Sequence, residues 1–346
     1  MTERPTFLSD LDAEHVKEIL TSMGEPAWRA KTILAWTYQK RAKSFEDMTD
    51  LPKALREKLS HAITFSSVTE VKTQESRDGT RKALLEIWDG RSIETALIPS
   101  TKGHYTVCVS SQVGCAVGCP FCASGQQGFE RNLGASEICD QVLYFNRRIE
   151  PEETIGNIVY MGMGEPMTNY AEVLSATKHL NASWGFGKGA RSITISTAGY
   201  IPGIERLSKE KLQVGLAVSL HAGNNALRDQ LVPINRKYPL DKLIPACAAY
   251  VQKTGRRVTF EYCLFAGIND SLEQARELGH LVRGLNCHIN LITANHTGGC
   301  DWQPPAQEKV KEFEDELLRL HIVATRRKSM GRDIQAACGQ LKGRPS

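Results

Sequence analysis

Apolar positions follow two different rhythms along the chain. The first 65 or so residues read as helices. Ser9 or Asp10 can cap "LDAEHVKEILTSM", which ends at Gly24, and Pro26 then opens "AWRAKTILAWTYQKRAK". A third helix, "PKALREKLSHA", follows Asp50. "ALLEIWDGRSIETALIP" then reads as two strands joined by the Asp89-Gly90 turn. From about residue 104 short β-branched runs take over: "YTVCVSS", "IGNIVYMG", "RSITIST", "VGLAVSLH", "RVTFEYCLF" and "HINLIT". Between most of them lie helical patterns such as "NYAEVLSATKHLN", "PLDKLIPACAAYVQK" and "SLEQARELGHLVRG". In the last, Leu278, Leu281, Val282 and Leu285 share one helix face. Six strands alternating with helices predict an α/β fold, with a parallel sheet that is open or curled toward a barrel. In such folds ligands meet the C-terminal ends of the strands.

Composition narrows the class. At 346 residues with 41% hydrophobic and 24% charged content, the chain is that of a globular protein. "MTERPTFLSD" carries no export signal, and no run approaches eighteen apolar residues, so a cytoplasmic protein without membrane contact is expected. That setting makes ten cysteines a matter of metal or redox chemistry rather than of disulfides. The net charge of +4 is modest. However, "WRAKTILAWTYQKRAKS" interleaves Arg29, Lys31, Lys40, Arg41 and Lys43 with Trp28, Trp36 and Tyr38, and "RRKSMGRD" and "KGRPS" make the tail basic. Such a pattern suits either a solvated face or contact with nucleic acid.

The densest chemistry lies in "SSQVGCAVGCPFCASG", where Cys115, Cys119 and Cys122 fall within eight residues. Zinc would need a fourth ligand, available from His104, Cys108 or His221. A 4Fe–4S cube also wants four ligands, so three cysteines leave one iron open. Gly114, Gly118 and Gly125 allow the backbone to bend tightly there. Three unliganded cysteines are the remaining reading.

The Cys-x3-Cys-x2-Cys loop after a first strand resembles the signature of the radical S-adenosylmethionine (SAM) superfamily. That resemblance implies a partial (β/α)6 TIM-like barrel, and a 4Fe–4S cluster held by Cys115, Cys119 and Cys122 whose open iron takes SAM. The SAM contacts it implies are Gly164 and Glu165 in "MGMGEP", Ser196 in "STAG", Ser219, Leu220 and His221 in "SLH", and Asn295 in "ITAN". Taken with "VSLHAGNNALRDQLVPIN" and "AACGQL", these motifs resemble the RlmN/Cfr group of RNA-adenosine methyltransferases from about residue 10 to residue 342. The chain departs from that pattern at Thr293-Ala294, where a proline–aromatic pair is usual, and at His296.

The resemblance implies a division into a helical RNA-contacting domain (1–66), a β-hairpin linker (67–100), a radical SAM core (101–333) and a C-terminal segment (334–346). It also implies a route. Cys338 takes a methyl from one SAM, and a second SAM gives a 5′-deoxyadenosyl radical that removes a hydrogen from that methyl. The carbon radical adds to adenine. Cys108 then releases the product by attacking the Cys338 sulfur, leaving a transient disulfide. Glu94 in "IETALIP" is the implied proton acceptor, although an alternating strand would normally turn it to water, and Cys108 could itself be the base. Implied partners are 23S rRNA, tRNA and a flavodoxin- or ferredoxin-type electron donor, with the enzyme a monomer. Carbon-2 is the expected position, on Pro166 and "HAGNNALRDQLVPIN"; carbon-8 is the alternative within the group. A non-catalytic zinc or Fe–S RNA-binding protein is the alternative of another class. Cys139, Cys247, Cys263, Cys287 and Cys300 read as incidental thiols. RNA affinity, measured by titration, should fall about tenfold or more between 50 and 200 mM salt; salt-insensitive binding would count against an RNA substrate.

Overall fold

The computed structural model describes residues 4–101 and 103–343, which leaves the Arg344 of the basic tail outside. The N-terminal helices are α1 (Ala13–Ser22), α2 (Arg29–Tyr38) and α3 (Lys53–Ala62). Asp12, not Ser9 or Asp10, caps α1 by accepting from Glu14 N and His15 N. The second helix stops at Tyr38, short of the predicted "QKRAK", and Arg41 beyond it has φ 61°. The module packs its own core around Leu20, Ile33, Leu55 and Leu59, to which Leu143 of the following domain contributes.

Three antiparallel strands follow where two were expected: β1 (Val68–Glu75), β2 (Arg81–Ile87) and β3 (Ser92–Thr101). β1 is almost wholly exposed, so it carries no apolar rhythm. β3 then pairs antiparallel with β4 (His104–Cys108), so the hairpin is an extension of the main sheet. A two-stranded ribbon brackets the cysteine loop: β5 (Gln112–Gly114) and β6 (Phe129–Asn132), with α4 (Ala123–Gln127) between them. α5 (Ala135–Asn146) leads to β7 (Thr154–Tyr160). The alternation continues through α6 (Tyr170–Asn181), β8 (Ile193–Thr197), α7 (Ile201–Leu207), β9 (Gly215–Ser219), α8 (Asn225–Leu231), α9 (Leu240–Thr254), β10 (Val258–Leu264), α10 (Leu272–Leu281), β11 (Cys287–Thr293), α11 (Gln307–Arg319) and β12 (Ala324–Arg327).

All six predicted strands form, as β4 and β7 to β11, and each lies parallel to its neighbour. A seventh, β12, adds parallel to β11. The ten-stranded order β1-β2-β3-β4-β7-β8-β9-β10-β11-β12 has two free ends among the described residues, so the barrel is partial and does not close. Ile158, Ile193, Leu216, Phe260 and Ile289, all inaccessible to solvent, join successive strands to the helices outside. Because the pairing is parallel, β4 and β7 to β12 deliver their following loops to one edge.

Candidate active site

At that edge the chain brings together most of the residues that the sequence singles out. A cavity of about 170 Å³ is lined by Cys115, Cys119, Cys122, Gly164, Glu165, Ser196, Ser219, His221, Asn295 and Cys338. Leu220 is buried but is not in the lining; its carbonyl accepts from Arg228 Nε at 3.0 Å. Gly164 has φ +98°, and a Cβ there would fall 2.5 Å from Gln112 Cβ, so only glycine fits. Glu165 is buried. Its carboxylate accepts from Met167 N at 3.0 Å and Ala198 N at 2.6 Å, and burial holds its pKa above the usual range. His221 sits at φ 61°, its Nδ1 accepting from Cys263 N at 2.9 Å and its ring edge-on to Phe121. Asn295 donates to the Cys338 carbonyl at 3.2 Å, while its buried Oδ1 has no partner. Arg228, a residue sequence reading passed over, is fully buried and ties the ends of β8 and β9 together through the carbonyls of Ala198 and Ser219.

The cysteine loop winds tightly. Cys122 N donates to Cys119 O at 3.1 Å, and a Cβ on Gly125 would meet both Cys119 N and O at 2.9 Å. Burial pushes the Cys115 thiol up to about 12 and raises Cys119 and Cys122 as well. Three crowded thiols in so dry a place become thiolates only if a strongly positive group joins them. The donor set therefore fits an iron–sulfur cluster, and the unpartnered Asn295 Oδ1 leaves a polar contact for a ligand. Among the described residues no three His, Cys, Asp or Glu side chains converge around a single-ion position.

A second, larger cavity of about 530 Å³ is lined by Cys108, Cys122, Met161, Arg327, Lys328 and Cys338, among others. Cys338 belongs to both walls. Cys108 is opposite Ala96 in the β3–β4 register, and both pack on Ala336, two residues before Cys338. Burial, reinforced by the Cys338 charge, lifts Cys108 to about 12, while Arg327 acts the other way. Arg327 itself is held above its usual range chiefly by Cys338. Cys263, read as incidental, lines the smaller cavity; Cys139 and Cys247 are core residues, as expected. Glu94 is not in either lining and does not face water. It is 3% exposed, ion-paired with Lys82 Nζ at 2.8 Å, and accepts from Lys342 N at 2.9 Å.

The N-terminal basic cluster is divided. Lys31, Lys40 and Lys43 are exposed, and Lys40 lies over Trp36 at 4.3 Å. Arg41, by contrast, donates to the carbonyls of Ile149, Glu150 and Glu153 and so docks the module on the core.

Fold and site together define a radical SAM protein, and the radical SAM superfamily model matches residues 109–279. The model for the ribosomal RNA large subunit methyltransferase N-terminal domain matches residues 6–64. "Probable dual-specificity RNA methyltransferase RlmN" of Staphylococcus carnosus (strain TM300) is 46% identical over 98% of this chain and 95% of its own length. The protein of the same description from Staphylococcus aureus (strain JH9) is 47% identical over the same shares. A solved radical SAM methyltransferase from Sphaerobacter thermophilus superposes with a TM-score of 0.96 at 47% identity, covering 98% of this chain and all of that one. The chain belongs to the RlmN family of radical SAM RNA methyltransferases.

His221 generates a pH prediction. Burial lowers its pKa from 6.5 to about 3. Below pH 6.5 the unfolded chain therefore binds a proton that the folded one refuses, and stability falls as pH falls. From pH 7 to pH 5 this residue should remove about 2 kcal/mol. Urea unfolding at both pH values should show a shallower pH dependence for His221→Gln; equal slopes would refute the assignment.

Proposed function

We propose that this protein methylates carbon-2 of an adenosine in 23S rRNA, and of the adenosine beside the anticodon in tRNA, with Cys338 as methyl carrier. The observation that carries this reading is the position of Cys338 on the wall shared by two cavities. One cavity holds the three-cysteine loop and the strand-end polar groups, and the other holds Cys108. At about 530 Å³ the second lies within the roughly 300–1,000 Å³ range of small-ligand pockets, which suits a nucleotide flipped from its stack.

In this reading Cys115, Cys119 and Cys122 hold a 4Fe–4S cluster, and Gly164, Glu165, Ser196, Ser219, His221 and Asn295 receive SAM, with Leu220 contributing backbone alone. When bound, these groups supply a 5′-deoxyadenosyl radical from one SAM and a methyl group from a second. Cys338 accepts the methyl on sulfur and presents it, less one hydrogen, to the electron-poor ring carbon in the neighbouring cavity. Once the unpaired electron of the adduct had passed back to the cluster, Cys108 would attack the Cys338 sulfur: an S–S bond forms, the S–CH2 bond breaks with its electron pair left on the base, and the methylene takes up a proton as the ring carbon loses one. For the proton that leaves the ring carbon the proposal keeps two acceptors. Cys108 lines the cavity, whereas Glu94 is buried outside it, held by Lys82 Nζ and by the Lys342 amide on the flank of Cys338. Both thiols act as thiolates, and Arg327 at the cavity wall favours that form at Cys108.

The exposed Lys31, Lys40, Lys43 and Trp28 give the N-terminal module its RNA-facing surface. A flavodoxin- or ferredoxin-type donor supplies the electrons, and the protein works as a cytoplasmic monomer. No helix of the described residues is long and apolar enough to cross a membrane. Mass mapping of adenosines in rRNA and tRNA fragments should show carbon-2 methylation by the wild type and none by Cys338→Ala, while that variant still forms 5′-deoxyadenosine. Normal methylation by Cys338→Ala would end the carrier reading.

A further inference from the structure

Beyond offering Glu94 as a proton acceptor, the hairpin that precedes the barrel holds the segment that carries Cys338. Lys82 on β2 is opposite Ala96 and Glu94 on β3 is opposite Leu84, so the two charges are diagonal neighbours on one sheet face. Both are nearly inaccessible, at 2% and 3% exposure. Each also reaches beyond the pair. Lys82 Nζ donates to the Gln335 carbonyl at 3.3 Å, three residues before Cys338, and Glu94 Oε2 accepts from Lys342 N at 2.9 Å, four residues after it. The turn between β1 and β2 adds a second hold: Asp78 accepts from Gly331 N at 2.8 Å, and Asp333 accepts from Ser76 Oγ and Arg77 N. On the other side Ala123 N and Ser124 Oγ, directly after Cys122, donate to the carbonyls of Gly339 and Leu341.

We infer that Lys82 is a positioning residue. Through its pair with Glu94 it pins both flanks of the Cys338 segment to the hairpin, so that the sulfur stays within reach of Cys108. This rests on Cys338 being the carrier only for its consequence in turnover; the pinning itself is independent of the methyl chemistry. A buried ion pair is a device of position more than of net stability, because desolvating two charges offsets much of their attraction. Neither charge lines a cavity, so the contacts to the Cys338 flanks are what the pair offers the site.

The test reads the segment without methyl transfer. Amide hydrogen exchange of residues 335–342 is followed in wild type, Lys82→Met, Lys82→Arg and the double variant Lys82→Met/Glu94→Leu. Disulfide closure between Cys108 and Cys338 is driven by diamide, which takes two electrons and two protons from the thiol pair, and is mapped by peptide mass. Lys82→Met and the double variant should exchange about tenfold faster in the segment and close the disulfide about tenfold more slowly, as the effective thiol concentration falls. Lys82→Arg, which keeps the charge and donors, should restore both. The double variant removes both buried charges while keeping apolar bulk, so it decides the matter if Lys82→Met fails to fold. Wild-type exchange and closure in the double variant would overturn the proposal. Loss of the carrier reading alone would leave these two measurements unchanged and appear instead as methylation by Cys338→Ala.

Discussion

The parallel hydrogen-bond ladder from β4 to β12 is the constraint on which the site depends. Parallel pairing sends every strand-end loop to the same edge, whatever the sequence distance between the loops. Cys115, Glu165, Ser196, His221 and Asn295 come from the ends of five different strands and meet around one cavity only because their strands share register and direction. Arg228 reinforces the arrangement at the point where β8 and β9 end. Its guanidinium satisfies carbonyls of both loops in a place where water has no access.

The second constraint is closure. The loop carrying Cys338 is a stretch of small residues with little apolar surface of its own, so polar contacts fix its position. Donors beside Cys122, the amide of Asn295 and the hairpin charges hold it over the strand ends. The result is a thiol at a boundary: one side faces the crowded cysteines, the other a cavity with a second thiol. Burial raises the pKa of the surrounding thiols, which keeps them unreactive until a positive group is present. Cys122 and Cys338 line both cavities, so the two spaces meet at these thiols.

Much of this was legible in the sequence, for physical reasons. Six strands whose buried positions are largely aliphatic or aromatic read as β-branched runs, and their end motifs are local. The seventh, "ATRR", was not legible, because an edge strand with three polar residues carries no apolar signal. The burial of Glu94 and its pairing with Lys82 were hidden for a related reason. On an alternating strand a charge reads as solvent-facing, and the cover that buries this pair arrives more than two hundred residues later. Arg41 misled in the opposite sense: it lies in a basic-aromatic run but caps carbonyls at residues 149, 150 and 153. Cys263 lacked a motif and reached the cavity through strand position alone. Short-range pattern thus located the strand-end groups, while contacts made by the chain's last residues stayed out of its reach.

The most direct test of the central claim is anaerobic reconstitution with iron and sulfide, followed by electron paramagnetic resonance of the reduced protein with and without SAM. The account predicts about four irons per chain, a cubane signal that SAM perturbs, and loss of both in Cys119→Ala. Stoichiometric zinc in place of iron, or a cluster whose signal ignores SAM, would contradict it.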